Sequence, residues 1–539
     1  MFKIPSKVYC DYFLIKRSRD KTRTIMALAF LMIGLVFMAC NPKVAETAKY
    51  KIEATKKPNV LFISIDDLND WIEPLGGHPQ AITPNLSAFA KESVTFNNAY
   101  CASPSCNPSR TAILTGKHPY VTGVYENPQI WRHILPEETT LPEYFKKAGY
   151  WTSGAGKLFH NNMPDPRSWN DYFPSLIQHF PYYYLPAIDS INNQKVFRKQ
   201  DNEIREDDPK GVTMNMPNSK GMYVAFDWAP LPYETEETGD YSTVKWVIDQ
   251  LGKKHDKPFF LGCGLYRPHL PFYVPQKYYN KFPIEEVKLP KVLENDLDDL
   301  PKRALRYTNG IYHRNVEKAQ KQKEAVQGYL AAINYADDLT GKLLNALAES
   351  EYADNTIVVI FSDHGWQLGE KTHWRKFALW ENVIKSVLMV KTPTGLTISG
   401  KDLKMGTTVY KNVSLVDIFP TLTELCDLPA KESVTGKSLV PLLIDDQYNR
   451  NQAVVTVLSD INYSIRKDQW HYISYDGIDE ELYNLEEDPE EWSNLATDAK
   501  YKAVLQKMKS HIPKNRKENV KTKKIKWMDV LADENYLYK

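Results

Sequence analysis

Cysteine is scarce, with six in 539 residues. Cys10 and Cys40 fall in the amino-terminal stretch, so Cys101, Cys106, Cys263 and Cys426 are left for the body of the chain. That is too few for a disulfide-stapled scaffold, although one bridge stays open. An excess of one charge is missing too: 68 Lys and Arg against 67 Asp and Glu leave +1. This balance gives no reason to expect nucleic acid as a partner and still permits a local basic pocket. No internal repeat is present. The apolar stretch Met26 to Ala39 is too short for a comfortable membrane span. What is present is core material, 42% hydrophobic and 12% aromatic residues, enough for two or more structural units.

The amino terminus has the charge order of a signal peptide: Arg17, Arg19, Lys21 and Arg23 precede the apolar stretch, and Cys40 follows Ala39. Phe37-Met38-Ala39-Cys40 resembles a bacterial lipoprotein processing site, which implies export and a membrane tether through lipidated Cys40, or secretion without lipidation. Folded structure is expected from Lys57. Asn59 to Ile65, Pro258 to Gly264 and Thr356 to Phe361 are short apolar runs of the buried, parallel-strand kind. Tyr329, Ile333, Ala336, Leu339, Leu343, Leu344 and Leu347 recur at helical spacing before the third run, and a helix feeding a buried strand is the unit of an α/β sheet. The Pro- and Tyr-rich stretches Asp165 to Pro232 and Arg267 to Tyr312 read as insertions around a cleft rather than as core. The boundaries expected are a signal and tether over 1–56, a catalytic domain over 57–400, a smaller subdomain over 401–510 and a basic tail over 511–539. From Tyr501 to Trp527 ten basic residues face one acidic residue, Glu518, a composition that suits an anionic glycan and equally a solvated helix with a frayed end.

Chemistry gathers at three places. Asp66-Asp67 and Asp363-His364 each close an apolar run, and open α/β sheets collect ligands at strand ends. Cys106-Asn107-Pro108-Ser109-Arg110, with Leu114-Thr115-Gly116 behind it, places proline near a helix start and sets Cys106 and Arg110 by the positive end of its dipole, where an oxyanion is stabilised.

Cys106 to Gly116 resembles the signature of the type I sulfatases, in which this cysteine is oxidised to formylglycine. The resemblance runs from about Asn59 to Leu495. It is narrower to the iduronate-2-sulfatase group, including bacterial polysaccharide sulfatases, at Gly156-Lys157-Leu158-Phe159-His160, Tyr266-Arg267-Pro268-His269 and Asp363-His364-Gly365-Trp366 with Trp374-Arg375-Lys376. It implies an alkaline-phosphatase-like α/β sandwich around a large, mostly parallel mixed sheet, with a smaller carboxyl-terminal α/β subdomain. It also implies a divalent cation, usually calcium, on Asp66, Asp67, Asp363, His364 and the aldehyde hydrate at Cys106. His364 is an atypical calcium ligand. In the implied reaction the hydrate attacks the sulfur of a sulfate ester, and Arg110, Lys157 and Lys376 clamp the charge. His269, together with Lys376, protonates the leaving alcohol, and His160 deprotonates the second hydroxyl of the sulfated hemiacetal so that sulfate leaves. The implied partners are a sulfated oligosaccharide or polysaccharide, with a uronate 2-sulfate as one candidate, and a formylglycine-generating maturation enzyme. Arg267, His373, His118, His133, Trp131 and Trp366 are candidates for sugar contacts. The alternatives are a phosphonate or phosphodiester hydrolase of the same superfamily and a non-catalytic glycan-binding lipoprotein.

Overall fold

The computed structural model describes residues 50–521 apart from 55, 161–164, 175–181, 190, 202–211 and 218–224. The amino-terminal stretch through Cys40 and the basic positions 523, 524 and 526 lie outside the described residues. The chain divides into Met1–Lys51 and Ile52–Lys539, and the described elements lie in the second unit.

An eight-stranded sheet organises it. In chain order the strands are β1 (Asn59–Ile65), β2 (Val94–Phe96), β3 (Trp151–Gly156), β4 (Asp171–Phe173), β5 (Phe259–Leu265), β6 (Thr356–Ser362), β7 (Leu388–Lys391) and β8 (Thr407–Val409), in the spatial order β8-β2-β7-β6-β1-β5-β3-β4. β7 runs antiparallel to both its neighbours and every other pair is parallel, so the sheet is mixed and mostly parallel. The principal helices are α1 (Cys106–Thr115), α2 (Leu141–Lys147), α3 (Gly239–Leu251), α4 (Gln322–Ala348), α5 (Ile418–Leu425) and α6 (Lys502–Lys509).

All seven residues of β1 are buried because both faces of the sheet are covered. Leu61, Ile63 and Ile65 share one core with Val244 and Val247 of α3 and with Tyr329, Ile333 and Leu339 of α4. On the other face Phe62 packs on Phe260 and Phe361, and Phe145 of α2 packs on Phe260. Burying each such side chain contributes about 1.5–3 kcal/mol, which is why continuous apolar runs rather than alternating ones build these strands.

A second, four-stranded antiparallel sheet over Val454–Leu458, Asn462–Lys467, Trp470–Tyr475 and Asp479–Asn484 packs with α6, burying Val457, Tyr463, Ile465, Tyr472, Leu482, Leu505 and Met508. This is the smaller carboxyl-terminal α/β region. The described part of the basic tail is tied to the body of the fold: Tyr125 donates to the Lys517 carbonyl (2.6 Å) and Gln129 to that of Val520 (2.6 Å).

Two expectations change. The Pro- and Tyr-rich stretches supply core as well as rim, since Trp228–Leu231 pairs with Phe272–Pro275 and buries Trp228, Phe272 and Val274. Aromatic bulk outweighs the shortage of long regular elements there. Cys101, Cys106, Cys263 and Cys426 are all free and buried, so the bridge left open does not form among them.

Candidate active site

Strand register brings the site together. Ile65 pairs with Leu265 on one side and Ser362 on the other, and Gly264 pairs with Gly156. The residues that follow, Asp66, Asp363 and Lys157 among them, therefore leave four adjacent parallel strands along one edge, where open α/β sheets bind ligands. The fit between β3 and β5 is close. A Cβ on Gly264 would lie 2.3 Å from the Lys157 carbonyl carbon, and Gly156 has φ +70° with the Gly264 carbonyl oxygen 2.1 Å from its own hypothetical Cβ. Only glycine at both positions lets Lys157 turn in.

α1 delivers Cys106 at its first turn. Ser109 donates to the Asp363 carbonyl (2.6 Å), and Asn107 donates to the Gln129 carbonyl (2.7 Å), which ties the helix start to the neighbouring strand end and to the 126–129 loop. Arg110 is buried. Its Nη2 donates to Asp66 Oδ1 (2.8 Å), its Nε to Asp363 Oδ2 (3.0 Å), and its Nη1 to Ser64 Oγ and the carbonyls of Lys157 and Leu158. The fork that could have faced an anion instead bridges two carboxylates.

Lys157 Nζ pairs with Asp66 Oδ2. Lys376 Nζ donates to Asp67 Oδ1 (2.7 Å) and Cys106 Sγ (2.7 Å). His364 Nε2 lies 3.4 Å from the same sulfur and 3.3 Å from Asp67 Oδ1, while its Nδ1 sits 2.9 Å from the Gly365 carbonyl. That carbonyl can only accept, so it holds a proton on Nδ1 and aims Nε2 into the cluster. His269 repeats the device: Nδ1 is 2.7 Å from the Leu270 carbonyl and Nε2 is 3.7 Å from Asp67 Oδ2. His160 Nδ1 is buried without a hydrogen-bond partner among the described residues.

The electrostatics follow from this crowding. Burial works against ionised Asp66, yet Lys157 and Arg110 hold its carboxyl well below the usual range. Burial lifts Asp67 to about 7, with Asp66 and Cys106 adding repulsion against the pull of Lys376. Burial, then Lys157 and Lys376, push both His160 and His269 well below ordinary histidine, so both rings are neutral. Burial opposes a charged His364, but Asp363 and Cys106 lift it to about 9.

The residues fit a divalent cation. Asp66, Asp67, Cys106 and His269 form one group of potential ligand atoms within 4.8 Å, and Asp67, Cys106, Asp363 and His364 form another. Asp67 Oδ2 is buried at their junction and accepts no hydrogen bond among the described residues, a desolvation cost that a cation would remove. Cys106 Sγ stands where the oxygen of a formylglycine would lie. A third group, Glu381, His471 and Glu491, is closed by its own partners: His471 Nδ1 bonds Glu491, and Arg466 Nε lies 3.1 Å from Glu381 Oε2.

Several sugar-contact candidates are committed elsewhere. Arg267 donates to the Tyr273 and His269 carbonyls, His118 bonds Thr435 Oγ1 (2.7 Å), and Trp131 stacks on Phe159. Trp366 lies in the core beside Tyr329. Both ring nitrogens of His373 face backbone carbonyls. Sequence reasoning missed Tyr329, which donates to the Asp67 carbonyl (2.8 Å) while accepting from the Asn69 amide (3.0 Å), and so holds Asp67 at φ +58°. It also missed Ser362, whose Oγ accepts from the Leu68 amide (3.0 Å) and donates to the His364 carbonyl (2.9 Å). A serine directly before Asp363-His364 was the available signal for the second.

Comparison with known proteins gives the family. The sulfatase family model matches residues 58–428, and a model for the N-sulphoglucosamine sulphohydrolase carboxyl terminus matches 369–518. A sulfatase of Formosa agariphila is 34% identical over 498 residues, covering 90% of this chain and 91% of the relative. Human iduronate 2-sulfatase is 30% identical over 433 residues, 76% of this chain and 72% of that protein. A solved structure described as a complex with D-glucosamine-2-N,6-O-disulfate superposes with a TM-score of 0.64 at 20% identity, covering 90% of this chain and 98% of that one, and so shares the fold. Together with a nucleophile position set between a carboxylate–histidine cluster and two lysines, these matches make the chain a member of the formylglycine-dependent, type I sulfatase family and a sulfuric ester hydrolase.

Proposed function

We propose that the chain removes sulfate from a sulfated carbohydrate, with uronate 2-sulfates as the first substrates to test. The observation that carries the reaction is residue 106 itself, held within 3.4 Å of His364 Nε2 and 2.7 Å of Lys376 Nζ. Similarity to an iduronate 2-sulfatase supports the substrate class.

A calcium ion on Asp66, Asp67, Asp363 and His364 would polarise sulfate oxygen, and a hydrated formylglycine at 106 would supply the nucleophilic hydroxyl. The chain's own groups do the rest. Arg110 keeps Asp66 and Asp363 aimed inward. Lys157 and Lys376 each have ammonium hydrogens left after their contacts with the aspartates, and these bind nonbridging sulfate oxygens. His269 starts neutral, with its Nε2 lone pair facing the site. An arriving sulfate ester offsets the two lysines that, after burial, depress it, so Nε2 takes up a proton from solvent and passes it to the leaving alcohol oxygen as the S–O bond breaks. His160, neutral and unbonded at Nδ1, takes the proton from the remaining hydroxyl at residue 106.

The proposed organisation keeps a leader and tether over 1–56, a catalytic part over 57–400, a smaller part over 401–510 and a tail beyond, with export and attachment through lipidated Cys40. A maturation enzyme would convert Cys106. The test is to assay the matured protein on structurally defined sulfated oligosaccharides and locate the lost sulfate by mass and resonance spectra. Activity on a different sulfated sugar but no uronate would overturn the substrate while leaving the chemistry. Faster turnover of an aryl phosphonate than of an aryl sulfate would favour the phosphonate hydrolase alternative. A native-host peptide spanning Cys106 that retains an unmodified thiol would point to the non-catalytic, glycan-binding reading.

A further inference from the structure

Lys376 reaches Cys106 from a turn that the backbone does not favour. Lys371, Thr372, Arg375 and Phe377 all have positive φ, at +52°, +50°, +84° and +75°, and none is glycine. Left-handed backbone at β-unbranched, branched and aromatic residues alike persists only where the surroundings impose it. The turn is held from outside at several points. Lys371 Nζ bonds Asp296 and the Glu491 carbonyl, Arg375 Nη1 bonds Tyr312 Oη, and the Phe377 amide donates to the Pro104 carbonyl (3.2 Å).

One restraint comes from within. His373 is half-buried beside Trp380, its Nδ1 is 2.6 Å from the Tyr307 carbonyl and its Nε2 is 2.9 Å from the carbonyl of Lys376. The ring therefore ties the residue that carries the Lys376 side chain to a neighbouring segment. Both acceptors are carbonyls, which have lone pairs and no hydrogen, so both contacts become hydrogen bonds only when both ring nitrogens bear protons. Burial pushes the ring toward neutrality, with Arg375 and His313 acting the same way, and the two carbonyls pull in the opposite direction. A neutral ring therefore restrains the turn through one hydrogen bond and a protonated ring through two.

We infer that His373 is a positioning residue for the sulfatase reaction: it spans the Tyr307 and Lys376 carbonyls and so holds the strained 371–377 turn that aims Lys376 Nζ at residue 106 and Asp67. The inference rests on the proposed role of Lys376 and assigns His373 no contact with substrate.

The test is a double-mutant cycle on the matured enzyme with an aryl sulfate, using His373→Ala, His373→Gln, Lys376→Ala and the double variant, together with hydrogen exchange of the peptide spanning 369–380. A residue that acts by placing a charge-stabilising lysine should change kcat: His373→Ala is expected to lower it about 10- to 100-fold with KM changed less than about threefold, as a displacement on the order of 1 Å does. His373→Gln, which keeps one donor, should recover part of that loss. The double variant should be no slower than Lys376→Ala alone, because the two act as one unit. Exchange in 369–380 should rise in His373→Ala while other peptides stay protected. Multiplicative losses in the double variant, or an unchanged kcat in His373→Ala, would overturn the inference. If His373→Ala does not fold, the cycle is run with His373→Gln and the same criteria apply. If the wild-type enzyme cleaves no sulfate ester, the functional reading fails, and faster exchange confined to 369–380 would still uphold the positioning role.

Discussion

Replacing Arg110 probes the whole site, because this one side chain joins two of its carboxylates in a fully enclosed setting. Arg110→Met keeps similar length and removes the charge. Asp66 then retains Lys157, but Asp363 Oδ2 loses the donor at 3.0 Å, and Ser64 and the carbonyls of Lys157 and Leu158 lose theirs. Removing one partner of a buried ion pair costs about 3–5 kcal/mol, and the lower end applies here because Asp66 keeps Lys157 and His364 Nε2 lies 3.6 Å from Asp363 Oδ2. Arg110→Lys restores one point charge without the fork, and an ammonium cannot reach Asp66 Oδ1 and Asp363 Oδ2 in the arginine geometry. With unmet buried acceptors costing about 1–3 kcal/mol each, the lysine variant should lose roughly 2 kcal/mol. Urea unfolding followed by tryptophan fluorescence in chelator reads both, the midpoint shift being multiplied by the measured slope. The same titration in millimolar calcium should recover part of the methionine loss if a cation shares these carboxylates. A methionine variant within about 1 kcal/mol of wild type would refute the bridging argument, and a lysine variant equal to wild type would show that charge alone, without the fork, is enough.

Glu370 provides a test of pH dependence away from the cation ligands. Burial lifts its carboxyl to about 7, with Asp70 adding repulsion, so the fold holds its proton more tightly than the unfolded chain does. Stability from this group is therefore fully present below the unfolded pKa near 4.5, is lost as pH rises through about 7, and stays lost above; Glu370→Gln should be more stable than wild type at pH 8 and not at pH 5. Thermal melts at the two pH values check the sign. Chelation should lower both activity and melting temperature and calcium should restore both, since a ligand at 100 times its Kd adds about 2.7 kcal/mol to the native state; a melting temperature unmoved by chelator would count against a structural cation at Asp67. His269→Gln should slow esters with poor leaving groups far more than activated aryl esters, and equal losses on both would remove His269 as the leaving-group acid.

How much of this could be read from the chain alone follows from how far each signal reaches. β1, β5 and β6 are legible because a strand buried on both faces must be apolar throughout, and Asp66, Asp67, Asp363 and His364 are legible because they interrupt those runs at their ends. Cys106 and Arg110 sit four residues apart in one helix, within the range of a local motif. What Arg110 touches is another matter: its partners lie 44 and 253 residues away, and no local spacing says whether a buried guanidinium faces a substrate or two aspartates. Tyr329 marks the same limit. Its place in the helical pattern made it a core residue, and it is one, but its hydroxyl also holds the backbone of Asp67 across 262 residues. His373 carries the point further. Nothing in its neighbours separates a sugar-binding histidine from one whose two nitrogens face the Tyr307 and Lys376 carbonyls, and the positive φ angles at Lys371, Thr372, Arg375 and Phe377 break the residue preference at four positions of the turn. A segment that contradicts its own local preferences is illegible for a physical reason: tertiary contacts impose its conformation, and here they do so next to the lysine that meets residue 106.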